Sequence, residues 1–161
     1  MVFVTTTTVE RIPVFKSQAV CESVVAQLEE TSRYFAVSLV GYVLMPSHLH
    51  ALLGLPKIEF LSKFMQSFKS LTSRRLKNLF SDNLKNSLWN TGRFRLWRPR
   101  FDDVVITSEK QFRIKLDYIH NNPVKAGLTT KPEDWKYSSA YEWLGDSKRL
   151  IGIDKYFEWV K

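Results

Sequence analysis

The sequence carries a single cysteine, Cys21, so it cannot build an internal disulfide framework. No apolar run approaches the ~18 residues of a membrane-spanning helix, and no basic stretch leads into an apolar one at the start. A cytoplasmic chain with no membrane partner is therefore expected. Internal repeats and low-complexity linkers are missing too, and a chain of 161 residues reads as one domain able to bury a sizeable core. Acidic residues are in short supply: 16 Asp and Glu stand against 24 Lys and Arg, a net charge of +8. An excess of that size points to a polyanionic partner, nucleic acid or an anionic surface, although many small proteins are basic without one. Histidine is scarcer still. Two of the three in the chain lie together in Ser47-His48-Leu49-His50-Ala51.

Periodicity sets the order of elements. Val2 to Val9, rich in Val and Thr, suits a strand. Ser17 can cap a helix to about Arg33 whose apolar stripe includes Val20, Val24 and Leu28, which makes Cys21 and Val25 buried structural neighbours. Val37 to Met45 reads as a central strand, and Pro46-Ser47 leaves room only for a tight turn into an antiparallel strand from His48 to Leu53. A long helix is expected from Ile58 to Phe80, with Leu61, Phe64, Phe68, Leu71 and Leu79 inward and Lys63, Gln66, Ser70, Arg74 and Lys77 outward. Between Ser81 and Thr107 the pattern weakens, with strands expected at Leu96 to Phe101 and Val104 to Ile106. Ser108 can cap a helix reaching the residues before Pro123. Pro132-Glu133-Asp134 reads as the first turn of a short helix ending near Gly145. The sum is an α+β fold: a ferredoxin-like split βαβ antiparallel sheet, with helices on one face and an added C-terminal helical region.

Side chains alternate across a strand, so His48 and His50 share a face while Leu49 packs the other way. Two imidazoles so placed can share a metal ion, but taken alone they can equally be solvated or core histidines. On the helix after Ser108, Phe112, Leu116 and Ile119 form the face that packs on the sheet. Gln111, Lys115, Tyr118 and Asn122 follow the same spacing on an adjacent polar stripe. His120 sits roughly 200 degrees around from Tyr118 and should point away from that stripe. Read from spacing only, Tyr118 is either a functional phenol or an ordinary surface tyrosine, and Asn122 is either a ligand or a helix-ending residue.

The segments YVLMPSHLHALL, LSKFMQSFKSLTSRRL, LWRPRFDDVVI and LDYIHNNPVKAGL together resemble the HUH single-tyrosine transposases, closest to the branch of REP-associated tyrosine transposases. The resemblance runs from about residue 3 to 144, leaving 145–161 as a C-terminal tail. It implies that His48 and His50 bind a divalent cation, Mg²⁺ or Mn²⁺, with Asn122 completing the site where insertion-sequence relatives commonly have Gln. It implies that Tyr118, on the added helical region, is the nucleophile. The activity implied is cleavage and strand transfer of single-stranded DNA through a 5′-phosphotyrosine, at hairpin-forming repeats, by a monomer or a homodimer. Lys115, one turn before Tyr118, is either a group that stabilises the phenolate or holds a phosphate, or an ordinary solvated lysine.

For the DNA surface, Arg93, Arg95, Arg98 and Arg100 alternate with Phe94, Trp97 and Phe101. Arginines can neutralise phosphates while aromatic rings stack on unpaired bases; the alternative is a strand with a core-facing aromatic side, which is preferred for Phe94 and Phe101. Lys63, Arg74 and Lys77 form a second basic stripe. Asp102 and Asp103, as strand neighbours, point oppositely and do not make a carboxylate pair. Two other readings remain open at this stage: a domesticated hairpin-binding module with little turnover, and an initiator- or relaxase-type HUH nuclease. In the tail, Tyr156, Phe157 and Trp159 are a docking segment or a partner surface.

Overall fold

The structure is a computed structural model that describes residues 1–90, 92–145 and 150–157. Its centre is a four-stranded antiparallel sheet of β1 (Val2–Thr7), β2 (Ser38–Met45), β3 (His48–Gly54) and β6 (Asp102–Val105), ordered β2-β3-β1-β6. The helices α1 (Gln18–Tyr34) and α2 (Phe60–Lys77) pack on one face and α4 (Glu109–Lys125) on the other. Between α2 and β6 lie a short helix α3 (Asp82–Ser87) and a small hairpin of β4 (Trp89–Asn90) and β5 (Arg93–Phe94). A short helix α5 (Ala140–Leu144) follows α4. The expected split βαβ sheet is thus present, with the tyrosine-bearing helix on the face that α1 and α2 leave free.

Local chemistry explains the main elements. The Ser17 hydroxyl accepts from the amide of Val20 to cap α1, whose buried side includes Val20, Cys21, Val24, Val25 and Leu28. β2 is buried on both faces because helices cover both. Two residues, Pro46 and Ser47, join it to β3, so Met45 lies opposite His48 and Val43 opposite His50. That register sends both histidines to the α4 side, with Val43, Met45 and Leu52, while Leu44, Leu49 and Ala51 enter the α1–α2 core. Gly41 lets α4 approach: a Cβ there would stand 3.0 Å from Leu116 Cδ1 and 3.1 Å from Ile119 Cδ1.

Four expectations are corrected. α2 spans Phe60–Lys77 rather than Ile58 to Phe80, and its buried stripe is completed by Thr72 and Leu76 while Leu79, beyond its end, is exposed. Leu96 to Phe101 is no strand; Leu96 and Trp97 are buried anchors, and the Trp97 indole N–H donates to Thr72 Oγ1 at 2.8 Å. The alternation there reflects core plugs in an irregular segment, and Trp97 is unavailable for base stacking. α4 continues through Pro123 to Lys125. The hydrogen bond that proline cannot donate is offset one turn on, where Gly127 (φ 70) and Leu128 donate to the carbonyls of Val124 and Pro123 and close the helix with a reversed turn. Pro132–Asp134 is an isolated 3₁₀ turn, separate from α5.

The tail also differs from a loose docking segment. Ile151 is buried, the amide of Asp154 donates to the carbonyl of Leu39, and Phe157 packs against the α4-side core. Tyr156 is exposed, and Trp159 lies outside the described residues.

A histidine pair under an exposed tyrosine

His48 and His50 sit on β3 with ring centroids 4.8 Å apart. Across the sheet, β1 contributes two residues that sequence reading overlooked. Phe3 stacks on His50 at 5.5 Å, and the Thr5 hydroxyl lies 2.7 Å from His50 Nδ1. The Thr5–His50 pairing follows from strand register, which no local pattern in the sequence reveals. With Nδ1 engaged, His50 keeps Nε2 for another partner.

Both imidazoles are held in the neutral form. Burial pushes His50 down to about 3, helped by the charges of His48 and Lys115. Burial lowers His48 as well, with the Arg11 guanidinium adding to the effect and a hydrogen bond with Asn122 opposing it. A neutral imidazole has a lone pair to give at ordinary pH, and a ligand must be deprotonated.

α4 delivers the remaining groups. Tyr118 meets His50 edge-on with centroids 5.3 Å apart and touches Phe3 at 6.0 Å, yet it is 40% exposed. Asn122, one turn on, reaches His48. The Lys115 ammonium lies 4.6 Å over the Phe3 ring and 5.8 Å over Tyr118, while the ammonium of Lys125, also missed from sequence, lies 5.8 Å over Tyr118. Gln111 does not join them; its side-chain oxygen accepts from the amide of Thr107 at 2.9 Å and helps cap α4. His120 points away as its spacing predicts, buried with Nε2 2.9 Å from the Ser139 hydroxyl and pushed down to about 4 by burial.

Among the described residues no cluster of three His, Cys, Asp or Glu could hold a metal. Two imidazoles with an amide as third donor are a different set, and one whose chemistry suits a divalent cation: burial holds both rings below their ordinary pKa, their centroids are 4.8 Å apart, and Thr5 backs His50. Asp102 and Asp103 are exposed on the edge strand β6, opposite Thr5 and Val4 respectively, on alternate faces.

The basic residues collect elsewhere. Arg95 and Arg98 line a cavity of about 540 Å³ between α2 and the segment that precedes β6, opposite Ser62, Gln66 and Ser70. Arg93, Arg100, Lys63 and Arg74 are exposed, each next in sequence to a residue that lines it, and Lys77 lies 5.0 Å over the Trp89 ring. The Lys69 ammonium, held below its ordinary range by burial, donates to the carbonyls of Arg98, Pro99 and Arg100 and so fixes the arginine segment.

Residues 1–122 match a family described as IS200-like transposase. Over 118 residues the chain is 29% identical to the REP-associated tyrosine transposase of Escherichia coli (strain K12), covering 66% of this chain and 62% of that one. A relative from Haemophilus influenzae (strain ATCC 51907 / DSM 11121 / KW20 / Rd), carrying the same name provisionally, is 28% identical over 69% of this chain and 63% of its own. The match thus spans less than two thirds of either relative. A solved REP-associated tyrosine transposase bound to a REP hairpin shares the fold, with a TM-score of 0.71 at 21% identity over 98% of this chain and 87% of that chain.

Proposed function

This chain belongs to the IS200-like transposase family, and from that premise we propose that it cleaves and rejoins single-stranded DNA at hairpin-forming repeats, with Tyr118 as the nucleophile. The observation that carries the reading is the exposed Tyr118 ring set against His50 while Asn122 of the same helix reaches His48. Relatives named REP-associated tyrosine transposases, one solved on a REP hairpin, support hairpin DNA as the substrate class.

A free phenol has a pKa near ~10 and attacks a phosphodiester poorly unaided. His48, His50 and Asn122 are the residues that would hold a divalent cation, Mg²⁺ or, given two imidazoles, more readily Mn²⁺. When bound there, it supplies Lewis-acid withdrawal of charge from the scissile phosphate. Thr5 fixes the His50 ring and Phe3 floors the pocket. Lys115 and Lys125 place positive charge beside the Tyr118 ring, where it can meet a phosphate brought to the phenol.

The phenolic oxygen bonds to phosphorus, the bond from phosphorus to the 3′-oxygen breaks, the phenol proton passes to solvent, and the departing oxygen takes one up. The products are a 5′-phosphotyrosine and a free 3′-hydroxyl. The new ester keeps the energy of the old one, so a 3′-hydroxyl can displace Tyr118 and join strands without ATP. Arg95 and Arg98 in their cavity, together with Arg93, Arg100, Lys63, Arg74 and Lys77, bind the backbone beyond the reacting nucleotides.

The test is incubation of a single-stranded hairpin oligonucleotide with Mn²⁺, read on a denaturing gel. A protein–DNA band lost in Tyr118→Phe, and in His48→Ala with His50→Ala, is the expected result. Tight hairpin binding with no band for the wild type overturns the enzymatic reading and leaves a binding module.

A further inference from the structure

Beside the histidine pair, on the side away from Tyr118, the chain makes a turn that the reaction scheme above does not use. β1 ends at Thr7 and runs into a one-turn 3₁₀ segment, Val9–Arg11, in which Glu10 and Arg11 both have positive φ, 51° and 56°. L-residues rarely adopt that region, and two in succession persist only where the surroundings hold them. Here the surroundings do. The Thr8 amide donates to the carbonyl of Ser47 at 2.9 Å, and the Thr8 hydroxyl reaches the carbonyls of Ser47 at 3.0 Å and Ile12 at 2.8 Å. The amide of Phe15 donates to the carbonyl of Pro46 at 3.0 Å. The turn carrying Arg11 is therefore stapled to the turn that immediately precedes His48.

The other flank of the turn is tied to the arginine segment: the amide of Val9 donates to the carbonyl of Leu96 and that of Arg98 to the carbonyl of Thr7. Arg11 is exposed, and among the described residues no ion pair includes it. Thr7, where β1 ends, pairs with His48 across the sheet and so brings the Arg11 turn up beside that imidazole. A cation beside a prospective cation site opposes metal binding, so its fixed position is a cost to that site unless an anion comes between. Strand register orders the groups: Tyr118 lies against Phe3 and His50, His48 pairs with Thr7 further along β1, and the Arg11 turn follows beyond Thr7. Phosphoryl transfer is in line, so a phosphate over the histidines attacked by Tyr118 sends its leaving 3′-oxygen toward Arg11.

We propose that Arg11 binds the DNA phosphate one nucleotide to the 5′ side of the scissile one, holding the leaving strand in line and linking the histidine pocket to the arginine segment. The assignment rests on Tyr118 acting as nucleophile, and the experiment separates the two claims.

A single-stranded hairpin oligonucleotide from an inverted repeat beside the gene serves as probe for wild type, Arg11→Gln, Arg11→Lys, Arg11→Gly and Arg33→Gln. Arg33 lies at the far end of α1, paired with Glu29, and is the charge control. Binding is measured in EDTA across a salt series. Arg11→Gln should flatten the slope of log affinity against log salt by about 0.7, one single-strand phosphate; Arg33→Gln should leave it unchanged. Arg11→Gly suits the positive φ, so it should melt no lower than wild type yet bind as weakly as Arg11→Gln. Arg11→Lys should recover part of the loss. Mn²⁺ binding without DNA should tighten in Arg11→Gln, the opposite sign to its DNA effect.

A methylphosphonate walked along the strand should impair adduct formation by wild type but not further impair Arg11→Gln at one position only, the phosphate 5′ to the cleaved one. Equal slopes for Arg11→Gln and wild type, or coupling at a different phosphate or at none, overturn the assignment of Arg11. An adduct that persists in Tyr118→Phe overturns the nucleophile instead, and the EDTA slopes then still report whether Arg11 contacts a phosphate.

Discussion

Thr5 shows how much of this site is made by residues without chemistry of their own. Its hydroxyl lies 2.7 Å from His50 Nδ1, the position from which an outer partner fixes ring orientation and tautomer for the nitrogen opposite. Thr5→Val keeps the shape and removes the hydrogen bond. Mn²⁺ affinity, followed by calorimetry in the absence of DNA, should fall about 10- to 100-fold, the usual weight of such a partner. Unchanged affinity would mean that His50 does not use Nε2. At this scale the histidine pair, Tyr118 and Asn122 were legible from spacing and resemblance, since strand alternation and the 3.6-residue period fix which side chains share a face. Thr5, Phe3 and Lys125 were not, because cross-strand register and the docking of α4 bring them in from distant sequence.

Among the elements, α4 is the part whose placement matters most. It presents Tyr118 and Asn122 only because Leu116 and Ile119 seat on β2 over Gly41. Gly41→Ala introduces a Cβ within 3.0 Å of Leu116 Cδ1, closer than ordinary contact, so the methyl groups and the helix must give by a few tenths of an ångström. The expected result is a stability loss of about 1 kcal/mol by urea titration with a disproportionate fall in adduct rate, since misplacing a reacting group is costly. A variant that loses stability but no rate would show that α4 tolerates the shift. The same helix shows where pattern reading stopped short. A proline normally marks a helix end, yet Pro123 is carried inside the last turn because Gly127 and Leu128 close it beyond. Similarly, the alternation from Leu96 to Phe101 imitates a strand, while Trp97 is buried to donate to Thr72.

Across the whole molecule, the arginine segment and the nucleophile occupy different regions, joined by the turn around Thr8. The net charge of +8 points to a polyanionic partner, but it does not show that Lys69 sits under the segment and holds the carbonyls of Arg98, Pro99 and Arg100. Lys69→Met removes charge-assisted bonds worth about 1.5–3 kcal/mol each at most. It should weaken hairpin binding, leave Mn²⁺ affinity unaltered and expose the bond after Arg100 to trypsin earlier than in wild type. Unaltered hairpin affinity would detach the arginine segment from DNA binding.

The most direct trial of the central claim is mass spectrometry of the trapped adduct after nuclease and protease digestion. The account predicts a 5′-phosphonucleotide on the peptide containing Tyr118 and on no other tyrosine peptide. A nucleotide mapped to another residue, or attached through its 3′-phosphate, would contradict it.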